Sequence, residues 1–262
     1  MRKQKFNLPV RIVIFLVIIS LAIAFIIGYI WKVLTTSDFF AVKMVYARNS
    51  DQQFEHLKGR NIFSLNLAQE AWRAQLKCPD CRKVRFTRIL PNSLVVDFLK
   101  RKPVALVKFY KNFAIDEQGV LFIPDVTTEE LELPVIYGLE TKIFAPQPGM
   151  SYKRPELVLA LSIINEFKAN KSFMGFTLKK INVGNPQNAG FFMLLPRQIV
   201  NSVLPASAAE WLGFEVRTGA NNLRQKMAIL GGLVIQERKE WANIKYIDLR
   251  FKEPLIKLNN VK

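Results

Sequence analysis

Histidine and cysteine are scarce in this sequence, and each shortage excludes a class of site. One histidine and two cysteines occur in 262 residues, too few to complete a zinc ribbon. Acid–base or nucleophilic catalysis needs a Ser, Cys or carboxylate beside a base. The single histidine, His56, lies in a short predicted helix, and no G-x-S-x-G, H-E-x-x-H or P-loop motif occurs. The sequence therefore predicts no catalytic, metal-binding or cofactor-binding residue.

Long apolar runs are also scarce in this sequence, and the one of membrane-spanning length lies near the N-terminus. Residues 12–31 form an uncharged run of about 20 residues, which as a helix spans the roughly 30 Å hydrocarbon core of a bilayer. The alternative is a cleaved signal peptide, whose apolar region is usually about 7–15 residues long. This run is longer and ends in Tyr29, Trp31 and Lys32, typical interfacial anchors. The pattern predicts a transmembrane helix over residues 12–34.

Basic residues alone flank the cytoplasmic side of this predicted span. Arg2, Lys3, Lys5 and Arg11 precede it with no acidic residue among them. The positive-inside rule therefore predicts that residues 1–11 are a cytoplasmic tail and that the rest of the chain is extracytoplasmic. The protein would be single-pass and located in the cytoplasmic membrane.

Acidic residues are outnumbered by 21 to 38, which gives a formal net charge of +17 at pH 7. Basic surfaces often bind polyanions. Beyond a membrane, lipid headgroups, wall polymers or acidic protein segments are better counterparts than nucleic acid. A simply solvated basic face is the other interpretation.

Both cysteines fall in one C-x-x-C motif, "CPDC", at Cys78 and Cys81. A second pair of ligands for zinc is missing. A redox motif would place its first cysteine at a helix N-terminus, whereas this one follows a predicted helix. The pattern favours a local disulfide in an oxidising compartment. Free thiols and a redox role are the alternatives.

The residues after the span alternate in the order strand, helix, helix, strand, strand. The last two strands flank a Pro91–Asn92 turn. A three-stranded sheet covered by two helices would bury the apolar faces of both. This βααββ order is that of a POTRA domain. The predicted elements span residues 41–47, 51–57, 67–76, 83–90 and 94–100.

Several ordered motifs resemble those of the FtsQ/DivIB family of cell division proteins. The stretch "LPNSLVVDFLKRKPVAL" from Leu90 is similar to the family segment that ends its POTRA domain, and "GRNIFSLNL" from Gly59 is similar to the family's linker between the two POTRA helices. Downstream, "IDEQGVLF", "LPVIYG" and "IDLRF" are similar to three further family segments. Lys100 replaces a common Glu, Phe251 replaces the usual Tyr, and "KCPDC" replaces a proline and an aromatic residue.

The resemblance implies an α+β fold in which a single transmembrane helix precedes a POTRA domain and a β-rich domain with two helices. The expected boundaries are residues 38–102 for the POTRA domain and 103–262 for the β domain. Apolar stripes predict the two helices at residues 155–168 and from residue 222 onward. Strands are predicted at residues 177–183, 245–251 and 255–258, among others.

The resemblance also implies function. The family member would be a non-catalytic scaffold at the division septum that recruits other division proteins. Its late strands would hold FtsB-like and FtsL-like coiled-coil partners by β-strand addition. The motif match carries over six contact residues, which are Asp248, Arg250, Phe251, Leu255, Ile256 and Leu258. The alternative for "IDLRF" is ordinary core alternation with Phe251 buried.

Two other functions remain open at this stage. POTRA domains also occur in envelope assembly proteins, but there they usually occur in several copies before a large β-barrel, whereas this sequence predicts one copy. A membrane-anchored wall enzyme or wall-binding protein is the other, but an enzyme of that kind would carry acidic catalytic clusters.

Overall fold

The computed structural model of the protein describes residues 10–124, 131–196, 212–236 and 241–259. Two compact units divide the chain, Met1–Lys77 with Cys81–Lys100 and Cys78–Asp80 with Arg101–Lys262. The first contains an apolar helix and a small α+β domain, and the second is β-rich with two long helices. The fold class predicted from the sequence is confirmed.

Helix α1 (Val10–Thr36) is the predicted membrane span. Its segment Arg11–Thr36 is long and apolar enough to cross a membrane, and other parts of the described chain do not cover it. The helix continues past the predicted end because the hydroxyls of Thr35 and Thr36 donate to the carbonyls of Trp31 and Lys32. Arg2, Lys3 and Lys5 lie outside the described residues.

The first unit carries a three-stranded sheet packed against one α-helix. Its strands are β1 (Met44–Arg48), β2 (Cys81–Ile89) and β3 (Ser93–Lys100), in the order β1-β3-β2. Strand β1 is parallel to β3, and β2 is antiparallel to it. Helix α2 (Leu67–Leu76) begins where the Asn66 side chain accepts a hydrogen bond from Gln69 N. The core includes Leu57, Ile62, Val84, Leu94 and Phe98.

The first of the two predicted POTRA helices is wrong in extent. Residues 51–57 contain only a 3₁₀ turn, Glu55–Leu57. Gly59, at φ 78°, ends the turn shortly afterwards. A segment this short cannot offset the cost of helix nucleation, so it folds only as far as burial of Phe54 and Leu57 requires.

Among the described residues, the second unit is built on one nine-stranded sheet. The strands are β4 (Ala105–Lys108), β5 (Asn112–Ile115), β6 (Leu121–Phe122), β7 (Val135–Tyr137), β8 (Thr177–Asn182), β9 (Ala189–Leu194), β10 (Gly213–Thr218), β11 (Ile244–Asp248) and β12 (Leu255–Leu258). Their order in the sheet is β12-β11-β10-β9-β8-β7-β4-β5-β6. Helices α3 (Pro155–Ala169) and α4 (Leu223–Gln236) pack on one face, where Leu157, Ile164, Met227 and Leu230 join the core.

Strand alternation gives this sheet two different faces. In β9 and β10, Phe191, Met193, Phe214 and Val216 point to the helices and are buried, while the residues between them are half-buried on the other face. The face opposite the helices therefore stays open to solvent over strands β8 to β11.

Candidate functional site

Strand β12 is the last strand at one edge of the described sheet. It pairs on one side with β11 in an antiparallel register, with Ile247 opposite Ile256 and Asp248 opposite Leu255. All four of its residues are exposed. Leu255, Ile256 and Leu258 expose 54%, 37% and 48% of their surface. Three large apolar side chains are therefore exposed on an edge strand, although edge strands usually carry features that prevent aggregation.

No strand of the described part of the chain pairs with the outer side of the β12 backbone. Asn259 N donates to Asn243 O at 2.7 Å, so the amide of residue 259 faces β11. Amide direction alternates along an antiparallel strand, and the N–H groups of Ile256 and Leu258 therefore point away from β11. A strand from another chain could pair with these groups.

Asp248 and Arg250 form an ion pair with several hydrogen bonds at the end of β11. Arg250 Nη2 lies 2.6 Å from Asp248 Oδ2, Arg250 Nε lies 2.9 Å from Oδ1, and the Arg250 backbone N–H also donates to Oδ1. Asp248 is 3% exposed. The side-chain hydrogen bond from Arg250 lowers the pKa of the Asp248 carboxyl and raises the pKa of the guanidinium.

This turn changes the predicted strand. Residues 245–251 were expected to continue as one strand with Phe251 beside Ile247 and Leu249. Instead β11 ends at Asp248, because its carboxylate accepts the Arg250 backbone N–H and bends the chain. Phe251 is 57% exposed while Leu249 is 2% exposed. The alternative in which Phe251 is buried in the core is therefore wrong.

A basic groove of 720 Å³ lies on the open face beside these residues. Among the residues that the structure describes, five cationic side chains line it, and Glu215 is the one acidic lining residue. Arg217 is held by Glu215 at 3.2 Å and stacks 4.1 Å above the centre of the Tyr246 ring. Glu215 raises the pKa of Arg217 mainly through this hydrogen bond. The cationic residues are Lys179, Lys180, Arg217, Lys245 and Arg250.

Sequence reasoning missed this groove, apart from Arg250. Its residues come from four strands, the 3₁₀ turn before β9 and the turn after β11. They are separated by up to about 70 positions in the sequence and are brought together by the sheet order. Arg250 closes one side through Nη1, which donates to Asn188 Oδ1 at 2.9 Å. The available signal was the pair Lys179–Lys180 inside a predicted strand, where one side of the strand had to face solvent.

The two cysteines are joined as a disulfide in the structure. Cys78 and Cys81 are 5% and 1% exposed. Because both sulfurs are bonded, neither offers a thiolate to a metal ion in this state.

The one histidine sits against a buried carboxylate in the first unit. Glu70 is 5% exposed, and its two oxygens contact His56 Nε2 and Arg73 Nη1, each at 3.0 Å. These contacts satisfy both oxygens of Glu70. The arrangement is that of a paired buried charge, with no nucleophile in contact with the histidine among the described residues.

Comparison with known proteins gives several relatives of one kind. No family model matches the chain. The chain is 24% identical over 180 residues to "Cell division protein FtsQ" of Geotalea daltonii, which covers 69% of this chain and 59% of that protein. It is 22% identical over 225 residues to the protein of the same name from Syntrophotalea carbinolica, covering 83% and 73%.

A third relative of that name, from Myxococcus fulvus, is 29% identical over 105 residues, covering 40% of this chain and 37% of that protein. The matched region thus spans between about two fifths and three quarters of these three relatives. These relatives carry one name, and the chain has the α+β fold with an N-terminal apolar helix that the resemblance predicts. The resemblance predicted from the motifs is confirmed, and the chain is similar over most of its length to the FtsQ cell division proteins.

Proposed function

We propose that this chain is a non-catalytic, single-pass membrane scaffold of the bacterial division machinery. Its first unit and its β-rich unit would recruit other division proteins. The free edge of β12 carries this proposal, because it combines outward N–H groups with exposed apolar side chains. The relatives named FtsQ support the division role.

A partner strand would extend the nine-stranded sheet at β12. The outward amides of Ile256 and Leu258 supply the main-chain hydrogen bonds. Leu255 shares the open face with Asp248, whereas Ile256 shares the face of Ile247, so side chains on both faces select the partner. The family resemblance points to the outer segments of FtsB-like and FtsL-like proteins as the strand donors.

The basic groove adds an electrostatic preference for the partner. Among the described residues no hydrogen bond or ion pair engages the side chains of Lys179, Lys180 or Lys245, so these charges are available to a ligand. The segment that flanks the added strand should therefore be acidic. Phe251, exposed beside Arg250 with its ring centre 5.8 Å from the guanidinium, would contact the same segment.

Topology follows from α1 and the basic tail. We infer that residues 1–11 lie in the cytoplasm, that α1 spans the cytoplasmic membrane, and that both units lie outside it, in the periplasm if an outer membrane exists. Enrichment at the septum follows from the division role.

A fluorescent protein fused to the N-terminus and expressed near its native level tests this proposal in growing cells. A band at mid-cell that appears before constriction supports the division role. A uniform envelope signal contradicts it and favours the envelope-assembly interpretation. A fusion truncated after residue 253 is the matched control: it keeps the anchor and the first unit but lacks β12, and it should fail to co-purify the coiled-coil partners that the full chain retains.

A further inference from the structure

We propose that the turn between β2 and β3 inserts its apolar tip, Ile89 and Leu90, into the surface of the bilayer next to α1. The bound partner is thus lipid, at the boundary between headgroups and acyl chains. This contact is separate from the β12 edge, and it does not depend on the partners proposed for that edge.

The tip carries more exposed apolar surface than a hairpin turn needs. Ile89 is 49% exposed and Leu90 is 58% exposed. Turns between strands are usually occupied by polar residues, glycine and proline, because the backbone and side chains face water. A single exposed leucine is ordinary. Here Ile89 at the end of β2 and Leu90 in the turn are consecutive and both exposed, and together they need an apolar counterpart.

The turn lies at the end of the unit where α1 arrives. Lys43 N donates to Asn92 O at 2.8 Å, immediately before β1 pairs with β3 through Met44 and Ser93. Lys43 is only seven positions beyond the end of α1 at Thr36. Because β1 and β3 start at this end and β2 finishes there, the turn is the part of the sheet nearest to the helix terminus.

Hydrogen bonds connect the turn to the helix end. The Asn61 side-chain amide donates to Leu34 O at 2.9 Å and to Ser37 O at 3.1 Å. Arg88, next to the tip, donates to Ile62 O at 2.8 Å and to Leu65 O at 3.0 Å. The segment from residue 61 to 65 therefore bonds to both α1 and the last residues of β2, which holds the tip at a fixed height above the end of the span.

Lipid fits this location better than a protein partner does. Helix α1 is uncharged from Ile12 to Trp31, and five residues separate Trp31 from the helix end at Thr36, so the lipid boundary falls within about two helical turns of the unit. Exposed Lys43 and Arg60 stand at the same end, where cationic side chains are attracted to anionic headgroups, and Asp38 is the acidic residue there. An apolar tip flanked by basic residues is the composition of an interfacial membrane contact.

The test uses the full chain in lipid nanodiscs. A Leu90→Cys variant is labelled with an environment-sensitive fluorophore, and quenching is measured with lipids that carry a nitroxide near the top of the acyl chain. Cys78 and Cys81 are paired, so a labelling ratio of one per chain verifies that the dye sits at residue 90. The matched control is Leu99→Cys, an exposed leucine (42%) near the other end of β3.

The expected result is a blue-shifted emission and loss of most of the fluorescence at residue 90 in nitroxide nanodiscs, with little loss at residue 99. Ile89→Cys provides a second reporter at the tip should the first variant fold poorly. The proposal would be overturned if the dye at residue 89 or 90 were quenched no more than the dye at residue 99. It would also be overturned if the emission wavelength of the dye at the tip were that of a water-exposed dye. Quenching that disappears only when anionic lipid is omitted would still support it and would assign the attraction to Lys43 and Arg60.

Discussion

Arg101 and Asp116 form a buried ion pair in the second unit, with Arg101 Nη1 2.5 Å from Asp116 Oδ2 and side chains only 9% and 7% exposed. The other Asp116 oxygen accepts the N–H groups of Gln118 and Val120 at 2.9 and 3.0 Å. This carboxylate is the Asp of the "IDEQGVLF" motif. The pair thus connects Arg101, which directly follows β3, to the turn between β5 and β6.

Loss of this arginine should destabilise the second unit strongly. We expect Arg101→Ala to lower its free energy of unfolding by about 3–5 kcal/mol, because Asp116 would stay buried and uncompensated. Hydrogen exchange over residues 112–122 of the full chain in detergent measures this effect. Arg48→Ala, which removes the exposed pair with Asp97, is the control and should cost less than about 1 kcal/mol. Equal effects of the two variants would contradict the structural role of Arg101.

Proline at residue 256 should abolish strand addition. Ile256→Pro removes an N–H that points away from β11, so the sheet keeps its own ladder while the partner loses a hydrogen bond. Lys257→Pro removes an N–H that faces β11 and should disturb β12 itself. We expect capture of partner segments to fail in Ile256→Pro with an unchanged exchange pattern in β11. Retained binding with Ile256→Pro would exclude β12 as the docking edge.

The Asp248–Arg250 pair should make the end of β11 sensitive to acid. The pKa of Asp248 is lowered in the folded chain, whereas the unfolded carboxyl has a pKa of about 3.9. The stability it contributes is therefore present above about pH 4 and is lost as the pH falls through the folded pKa. Asp248→Asn should cost about 1–3 kcal/mol at neutral pH.

Thermal unfolding of the full chain in detergent between pH 6 and pH 3 checks this prediction. The melting temperature of Asp248→Asn should fall less on acidification than that of the unmodified chain. Glu215→Gln is the control, because it removes the carboxylate that pairs with Arg217 and is more exposed than Asp248. Its melting temperature should fall on acidification as that of the unmodified chain does. If the melting temperatures of Asp248→Asn and of the unmodified chain fell equally on acidification, the role assigned to the Asp248–Arg250 pair would be contradicted.

Asn61 should determine how firmly α1 is joined to the first unit. Asn61→Asp removes both donors to Leu34 O and Ser37 O but keeps the oxygen that accepts Phe63 N. Loss of these two bonds, each worth about 0.5–1.5 kcal/mol, should accelerate amide exchange around residues 37–42 in nanodiscs. Asn66→Asp is the matched control, because Asp caps the N-terminus of α2 as well as Asn does. Unchanged exchange in Asn61→Asp would show that packing alone holds the helix end.

Elements with a strong local pattern were predictable. The span, the β2–β3 hairpin, α3 and β12 each have a composition or period that few other structures share. The predicted helix at residues 51–57 failed because it was too short for its pattern to outweigh nucleation. The predicted strand at residues 245–251 extended too far because alternation continued beyond the point where Asp248 captures the Arg250 amide.

The sequence by itself determined a membrane-anchored α+β chain with a division-protein motif order, because apolar run length, strand period and turn residues act locally. Only the tertiary structure decided that Lys179, Arg217 and Lys245 share one groove, that β12 is an edge, and that Arg88 and Asn61 connect the hairpin to α1. Strand order and side-chain hydrogen bonds between distant segments make those juxtapositions, and neither leaves a periodic trace in the sequence.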